Sequence, residues 1–156
     1  MEIKIIEIID KEEKKAISKE VLNDLPEWFG LSESTQKYIN DSQNKPFVAA
    51  YANDEPVGFI VLNETSKDCA DIFVMGIKKA FHRQGVGKAL NKEYERLAKS
   101  LAYSYSQVKT VQSGIYEEYD ITNGFYKAIG YKELEVFPSL WDEWNPCQIY
   151  IKYLGD

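Results

Sequence analysis

Gly85 and Gly87 stand inside FHRQGVGKAL, residues 81–90, between an apolar extended run and a strongly amphipathic segment. The run before them, DIFVMGI at 71–77, is rich in β-branched and aromatic residues. The segment after them sets Val86, Ala89, Leu90, Tyr94, Leu97, Ala98 and Leu101 at helical spacing. Strand, glycine loop and helix start in that order make an anion-binding junction, because the first N–H groups of a helix lack intrahelical partners and the helix dipole adds positive charge there. Phosphate oxygens are the ligands such a loop favours. Two common nucleotide loops fail on spacing. A P-loop needs G-x-x-x-x-G-K-S/T, but His82 stands five residues before Gly87 and Ala89 follows Lys88. A dinucleotide fingerprint needs a third glycine where Leu90 stands.

A second block with chemical potential runs from Gln107 to Val136. It reads as a strand (QVKTV), a polar loop carrying Glu117, Glu118 and Asp120, a short helix (ITNGFYKAI), Gly130, and another strand (YKELEV). Gly130 fits the position just past a helix end, where positive φ is needed. Ile121, Phe125, Ala128 and Ile129 are the expected buried face of that helix, with Tyr126 turned about 100° from Phe125 toward the cleft between strands.

The two blocks together resemble the GNAT superfamily of N-acetyltransferases: the glycine loop matches Gln/Arg-x-x-Gly-x-Gly/Ala, and FYKAIGY matches a recurrent F-Y-x-x-x-G-F/Y ending. One departure is His82, followed by Arg83, at the first motif position. Another is Tyr119, which stands where the family often has Asn, so that an Asn contact to the cofactor falls to Asn123. The resemblance implies that the loop His82, Arg83, Gln84, Gly85, Val86, Gly87, Lys88 wraps the pyrophosphate of acetyl-CoA as cosubstrate. It further implies that the backbone at Met75, Gly76 and Ile77 bonds the pantetheine arm in a gap between two splayed parallel strands.

The chemistry implied is amide formation. An alkyl ammonium with a pKa of about 10.4 must shed a proton before it attacks a thioester. Asp71 occupies the place of the family's glutamate base and, being shorter, would act through water. Glu117, Glu118 and Asp120 are other candidates. Tyr126 matches the residue that protonates the departing thiolate. Neither Cys69 nor Cys147 is placed to carry an acyl group, so transfer is expected to be direct. Trp28, Phe29, Glu117 and Trp141, with Trp144, border the acceptor side; the aromatic loops at 25–30 and 137–147 serve a pocket, an ordinary hydrophobic clasp or a homodimer contact. The expected acceptor is a cationic primary amine of a small molecule with an aromatic-compatible body. The alternatives are a peptide or protein amine, or a non-catalytic acyl-CoA-binding module.

The elements that must position these groups follow from pattern. Strands are expected at 3–9, 46–52, 57–63, 70–77, 107–112, 131–137 and 147–153, and helices at 13–25, 32–41, 86–103 and 121–129. The turn NDEP at 53–56 makes an antiparallel hairpin; the helix at 86–103 crosses between two parallel strands. The predicted fold is α/β in the α+β sense, the GNAT fold, with a mixed, mostly antiparallel central sheet splayed between two parallel strands and helices on both faces. At 156 residues, 44% hydrophobic and 28% charged, the chain is expected to be one domain. A net charge of −6 with dispersed Lys and Arg argues against nucleic acid as partner. No apolar run approaches roughly 20 residues, so no membrane span is expected and a cytoplasmic location is. Two cysteines and one histidine without ligand spacing predict no metal. KEEKK at 11–15 is expected to be a solvated first helical turn.

Overall fold

A computed structural model describes residues 2–30 and 32–155. Its elements are β1 (Ile3–Ile8), α1 (Lys11–Asn23), α2 (Ser32–Ser42), β2 (Phe47–Ala52), β3 (Glu55–Glu64), β4 (Cys69–Ile77), a short 3-10 turn (Lys79–Phe81), α3 (Val86–Ser100), β5 (Tyr105–Val111), α4 (Glu117–Ala128), β6 (Lys132–Phe137) and β7 (Cys147–Tyr153). Seven strands form one sheet in the order β1-β2-β3-β4-β5-β7-β6. Only β4 and β5 are parallel; every other neighbouring pair is antiparallel. The β2–β3 hairpin turns through Asn53 and Asp54, both at positive φ (51° and 64°), the backbone that a two-residue turn of this hand demands.

Two buried clusters lie on opposite faces of the sheet. On one, Leu90, Tyr94 and Leu97 of α3 and Tyr126 of α4 pack against Ile60, Ile72, Val108 and Tyr150. On the other, Ile17, Val21 and Leu22 of α1 and Ile39 of α2 pack against Phe47, Phe59 and Val74. Strand alternation sends neighbouring residues to different clusters, which explains why β2 and β3 are buried almost throughout. The parallel pairing of β4 with β5 runs only from Cys69–Tyr105 to Ile72–Val108. Beyond Ile72 the strands part, leaving Phe73–Ile77 without a partner on that side while β3 holds the other. No helix among the described residues is long and apolar enough to cross a membrane.

Three local expectations change. The acidic stretch at 117–120 is the first turn of α4 rather than a loop. Carboxylates there face the positive end of the helix dipole, which favours starting the helix early. The buried face of α4 is Asn123 and Tyr126, whereas Ile121 is 54% exposed and Ala128 is exposed; only Phe125 and Ile129 of the expected stripe pack partly against the core. A polar anchor described below, invisible to an apolar-stripe argument, turns the helix. Within KEEKK, Lys14 is buried: its ammonium donates to the carbonyls of Lys45 (2.8 Å) and Gln43 (3.4 Å), closing the α2–β2 connection.

Candidate active site

The glycine loop is an N–H concavity. Gly85 caps α3 with φ 80°, and no heavy atom lies within 4 Å of where its Cβ would stand, so glycine is needed for conformation rather than room. The first helical bond outside the turn is Ala89 N–H to Gly85 C=O at 3.0 Å. The backbone N–H groups from Arg83 to Lys88 make no backbone bond among the described residues. Arg83 is at φ 62°, which helps turn these groups to one side. Gly87 has the other reason for being small: a Cβ there would lie 3.0 Å from Ile77 Cδ1 and from the Phe125 ring. Helix α3 thus starts pressed against the end of β4 and the side of α4. His82 folds back so that Nε2 is 2.6 Å from the Ile77 carbonyl, and Gln84 Nε2 donates to Ala80 C=O at 3.1 Å. The side chains of Arg83 and Lys88 are exposed.

The loop sits beside the opening between β4 and β5, where Met75, Gly76 and Ile77 lie beyond the last parallel pair. Gly76 has a packing reason to be glycine: a Cβ would meet Leu25 and Val21 at 3.1 Å, so α1 lies directly on β4 at this point.

Tyr126 is 6% exposed, with its ring edge-on to Phe125 (5.4 Å) and Tyr131 (5.9 Å). Its hydroxyl makes no hydrogen bond among the described residues, whereas Tyr94 and Tyr131 share Ser106 Oγ at 2.8 Å each. Burial first, and the Asp71 charge second, raise its pKa above the ordinary phenol value. Asp71 is also 6% exposed, and its Oδ1 is fully buried without a partner among the described residues. Desolvation pushes this carboxyl above the usual range, opposed by the nearby Lys109 and Lys45 charges and a contact with Gln107.

Asn123 has a structural task. Its Nδ2 donates to Val111 C=O (2.9 Å) and Tyr119 C=O (2.6 Å), and its Oδ1 accepts from Tyr150 Oη. With both donors engaged, its side chain ties α4 to β5 and β7. Asp120 Oδ1 accepts the Gly114 N–H at 2.6 Å, so this carboxylate shapes the loop after β5. Glu117 is exposed at the first residue of α4.

Trp28 and Phe29 are half-buried between α1 and α2. Trp28 Nε1 donates to Glu118 C=O (3.2 Å) and Thr122 Oγ1 (3.1 Å), Tyr119 Oη donates to Trp28 C=O (3.1 Å), and the indole meets the His82 ring edge-on at 5.8 Å. Since α4 belongs to the opposite face of the sheet, these bonds are made past the end of β4–β5 pairing, across the opening. Phe29, Tyr38 and Phe73 continue an aromatic wall, with centroids 6.0 Å and 5.3 Å apart in turn. Trp141 is 46% exposed in the β6–β7 loop, which Gln112 N–H to Pro146 C=O (2.9 Å) fastens to the end of β5. Tyr38, Phe73, Lys45 and Lys109 were not singled out from sequence. The alternation in QVKTV, which puts Gln107 and Lys109 on one face, was the available signal for the last of these.

The family model for the acetyltransferase (GNAT) family matches residues 10–131. The chain belongs to this family. The matched stretch ends at Tyr131, the last residue of FYKAIGY, and contains the glycine loop and the parting strands. No curated protein sequence matches the chain. Among solved structures, a GNAT-family protein from Desulfovibrio desulfuricans superposes with a TM-score of 0.84 at 14% identity, covering 99% of this chain and 100% of that one. The aminoglycoside 6'-N-acetyltransferase from Enterococcus faecium gives 0.77 at 19% identity over 100% and 98%. A GNAT family acetyltransferase from Elizabethkingia anophelis with acetyl-CoA bound gives 0.72 at 16% over 97% and 97%. Likeness at such identities speaks to the fold. The sheet and helices are those of the GNAT fold.

Proposed function

We propose that the protein transfers an acetyl group from acetyl-CoA directly to the primary amine of a small molecule. The observation that carries this reading is the meeting of two features at one place: β4 and β5 separate beyond Ile72 and Val108, and the free N–H groups from Arg83 to Lys88 border the opening. Backbone donors suit a pyrophosphate, and the unpaired edge of β4 at Met75–Ile77 suits the amides of a pantetheine arm. Solved relatives of this fold bound to coenzyme A and to acetyl-CoA support the cosubstrate, and several named as aminoglycoside acetyltransferases support a small acceptor.

In this reading acetyl-CoA supplies an activated acetyl group, and the chain supplies position and proton handling. Asp71 receives, through water, the proton that the acceptor ammonium must lose; its raised pKa makes it a stronger base than an ordinary carboxylate. Tyr126 donates its proton to the sulfur as the carbon–sulfur bond breaks and regains it from solvent. Its elevated pKa keeps it protonated at neutral pH, and its unbonded hydroxyl has no competing partner. Trp28 and Phe29 border the acceptor side with Tyr38 and Phe73, and Glu117 and Trp141 lie at the outer rim.

The test is thiol release from acetyl-CoA against a panel of polyamines, aminoglycosides, amino acids and peptides, with product masses recorded. A product heavier by one acetyl group, formed with a primary amine, is expected. Binding of acetyl-CoA without transfer to any amine would replace the enzyme reading by that of a binding module.

A further inference from the structure

The sheet face toward α1 and α2 carries charges that the proposed chemistry leaves unused. Alternation fixes which residues stand there. Val108 packs with α3 and Ser106 bonds Tyr94 and Tyr131 on the far face, so Gln107 and Lys109 point to the near one. Asp71 shares it, since Ala70 and Ile72 belong to the α3 cluster and Asp71 is in register with Gln107. Lys109, two residues beyond Gln107 and next on that face, lies where β5 has already left β4. Lys45 arrives from the α2–β2 connection, its ammonium 4.9 Å from the Phe73 ring centre.

Both lysines are half-buried, and both are close enough to Asp71 to oppose the effect of its burial. Neither forms an ion pair with Asp71 or with any other carboxylate among the described residues. Glu135 is the acidic residue that β6 contributes to this face, opposite Ile149, which is itself opposite Lys109; it is exposed and unpaired with Lys109. Glu117, Glu118 and Asp120, the other candidate bases, are in the first turn of α4, and Asp120 is bonded to Gly114. The floor beside the strand opening therefore carries one carboxylate and two cations that make no ion pair among the described residues.

We propose that the acceptor is an amine that also carries a carboxylate, which Lys109 binds while the amine faces Asp71. This rests on the N-acetyltransferase reading above. A purely cationic amine would meet Lys109 and Lys45 as like charges. A zwitterion is matched at both ends: its ammonium faces Asp71 across the water, and its carboxylate gives Lys109 a charge-assisted hydrogen bond that no described residue provides. Lys45, held over Phe73, adds positive potential to the same side.

Matched pairs differing only in the carboxylate test this: lysine against cadaverine, ornithine against putrescine, tyrosine against tyramine, tryptophan against tryptamine. With acetyl-CoA saturating, kcat/KM is expected to favour the amino acid in at least one pair by roughly 10 to 100-fold. In Lys109→Met, checked for folding by circular dichroism and for undiminished acetyl-CoA binding, that preference should vanish, with the loss falling on KM more than kcat. Lys109→Arg should retain it. Equal or better use of the decarboxylated amine in every pair, or a preference that survives in Lys109→Met, overturns the inference and leaves the N-acetyltransferase reading intact. Acetylation of no amine at all, by protein that binds acetyl-CoA, overturns both.

Discussion

Tyr126 and Asp71 are both buried, neither the Tyr126 hydroxyl nor Asp71 Oδ1 finds a hydrogen-bond partner among the described residues, and the consequences of removing each differ. Tyr126→Phe keeps the ring contacts with Phe125, Tyr131 and Tyr150 and deletes a hydroxyl that bonds to none of them. Stability should barely move, while turnover falls roughly 10 to 1000-fold with acetyl-CoA affinity kept. Turnover within about twofold of wild type would assign Tyr126 to packing alone. Asp71 has a folded-state pKa above its ordinary value of 3.8, so the folded state holds its proton more tightly than the unfolded chain does. Its contribution to stability is present below about pH 3.8 and is lost as pH rises through the raised folded value. Asp71→Asn removes that loss. The variant should melt at higher temperature than wild type at pH 7, with the gain shrinking in acid, and its activity should drop together with the acidic limb of the pH–rate profile. An unchanged acidic limb would place the base elsewhere.

Trp28 joins elements that lie on opposite faces of the sheet. Its indole N–H bonds α4 at Glu118 and Thr122, and its ring edge meets His82 beside the glycine loop. Trp28→Phe and Thr122→Val should each cost about 1 kcal/mol, and the double variant less than the sum, giving a coupling of about 0.5–1.5 kcal/mol by denaturant titration. Strict additivity would show that the bond contributes nothing. Element placement was largely legible in sequence, because strong periodicity in 86–101 and the β-branched runs of β3 and β4 leave little choice of period. The positive-φ turn at Asn53–Asp54 and the helix stop at Gly130 (φ 100°) were legible for the same kind of reason: residue type and backbone conformation are tied there. The rotation of α4 was not. It depends on Asn123 bonding Val111, Tyr119 and Tyr150, contacts between residues 4 to 27 positions apart, and a helical wheel sees only Ile121 and Ala128 as apolar. Lys14 escaped in the same way, since its partners are carbonyls some 30 residues away. The role of Gly76 emerged only with α1 lying on it.

At the scale of the molecule, two packed layers grip one sheet, and the single parallel pair is where that sheet comes apart. The N–H groups of the glycine loop, Tyr126, the buried Asp71 and the lysine-bearing face all border this seam, each delivered by a different element. The sequence motifs reported the glycine loop and Tyr126 because their residues are contiguous. The aromatic wall and the charged floor are assembled from α2, β4 and β5, and no contiguous pattern marks them. Acetyl-CoA binding at the loop is the central claim, and a calorimetric titration of acetyl-CoA into wild type and into a folded Gly87→Glu variant tests it most directly. A carboxylate among the N–H groups of Arg83–Lys88 repels the pyrophosphate and crowds Ile77 and Phe125, which already lie 3.0 Å from a Cβ at that position. Saturable one-to-one binding by wild type and loss of measurable binding by the variant are predicted; equal affinity in the two proteins would contradict the assignment of this loop.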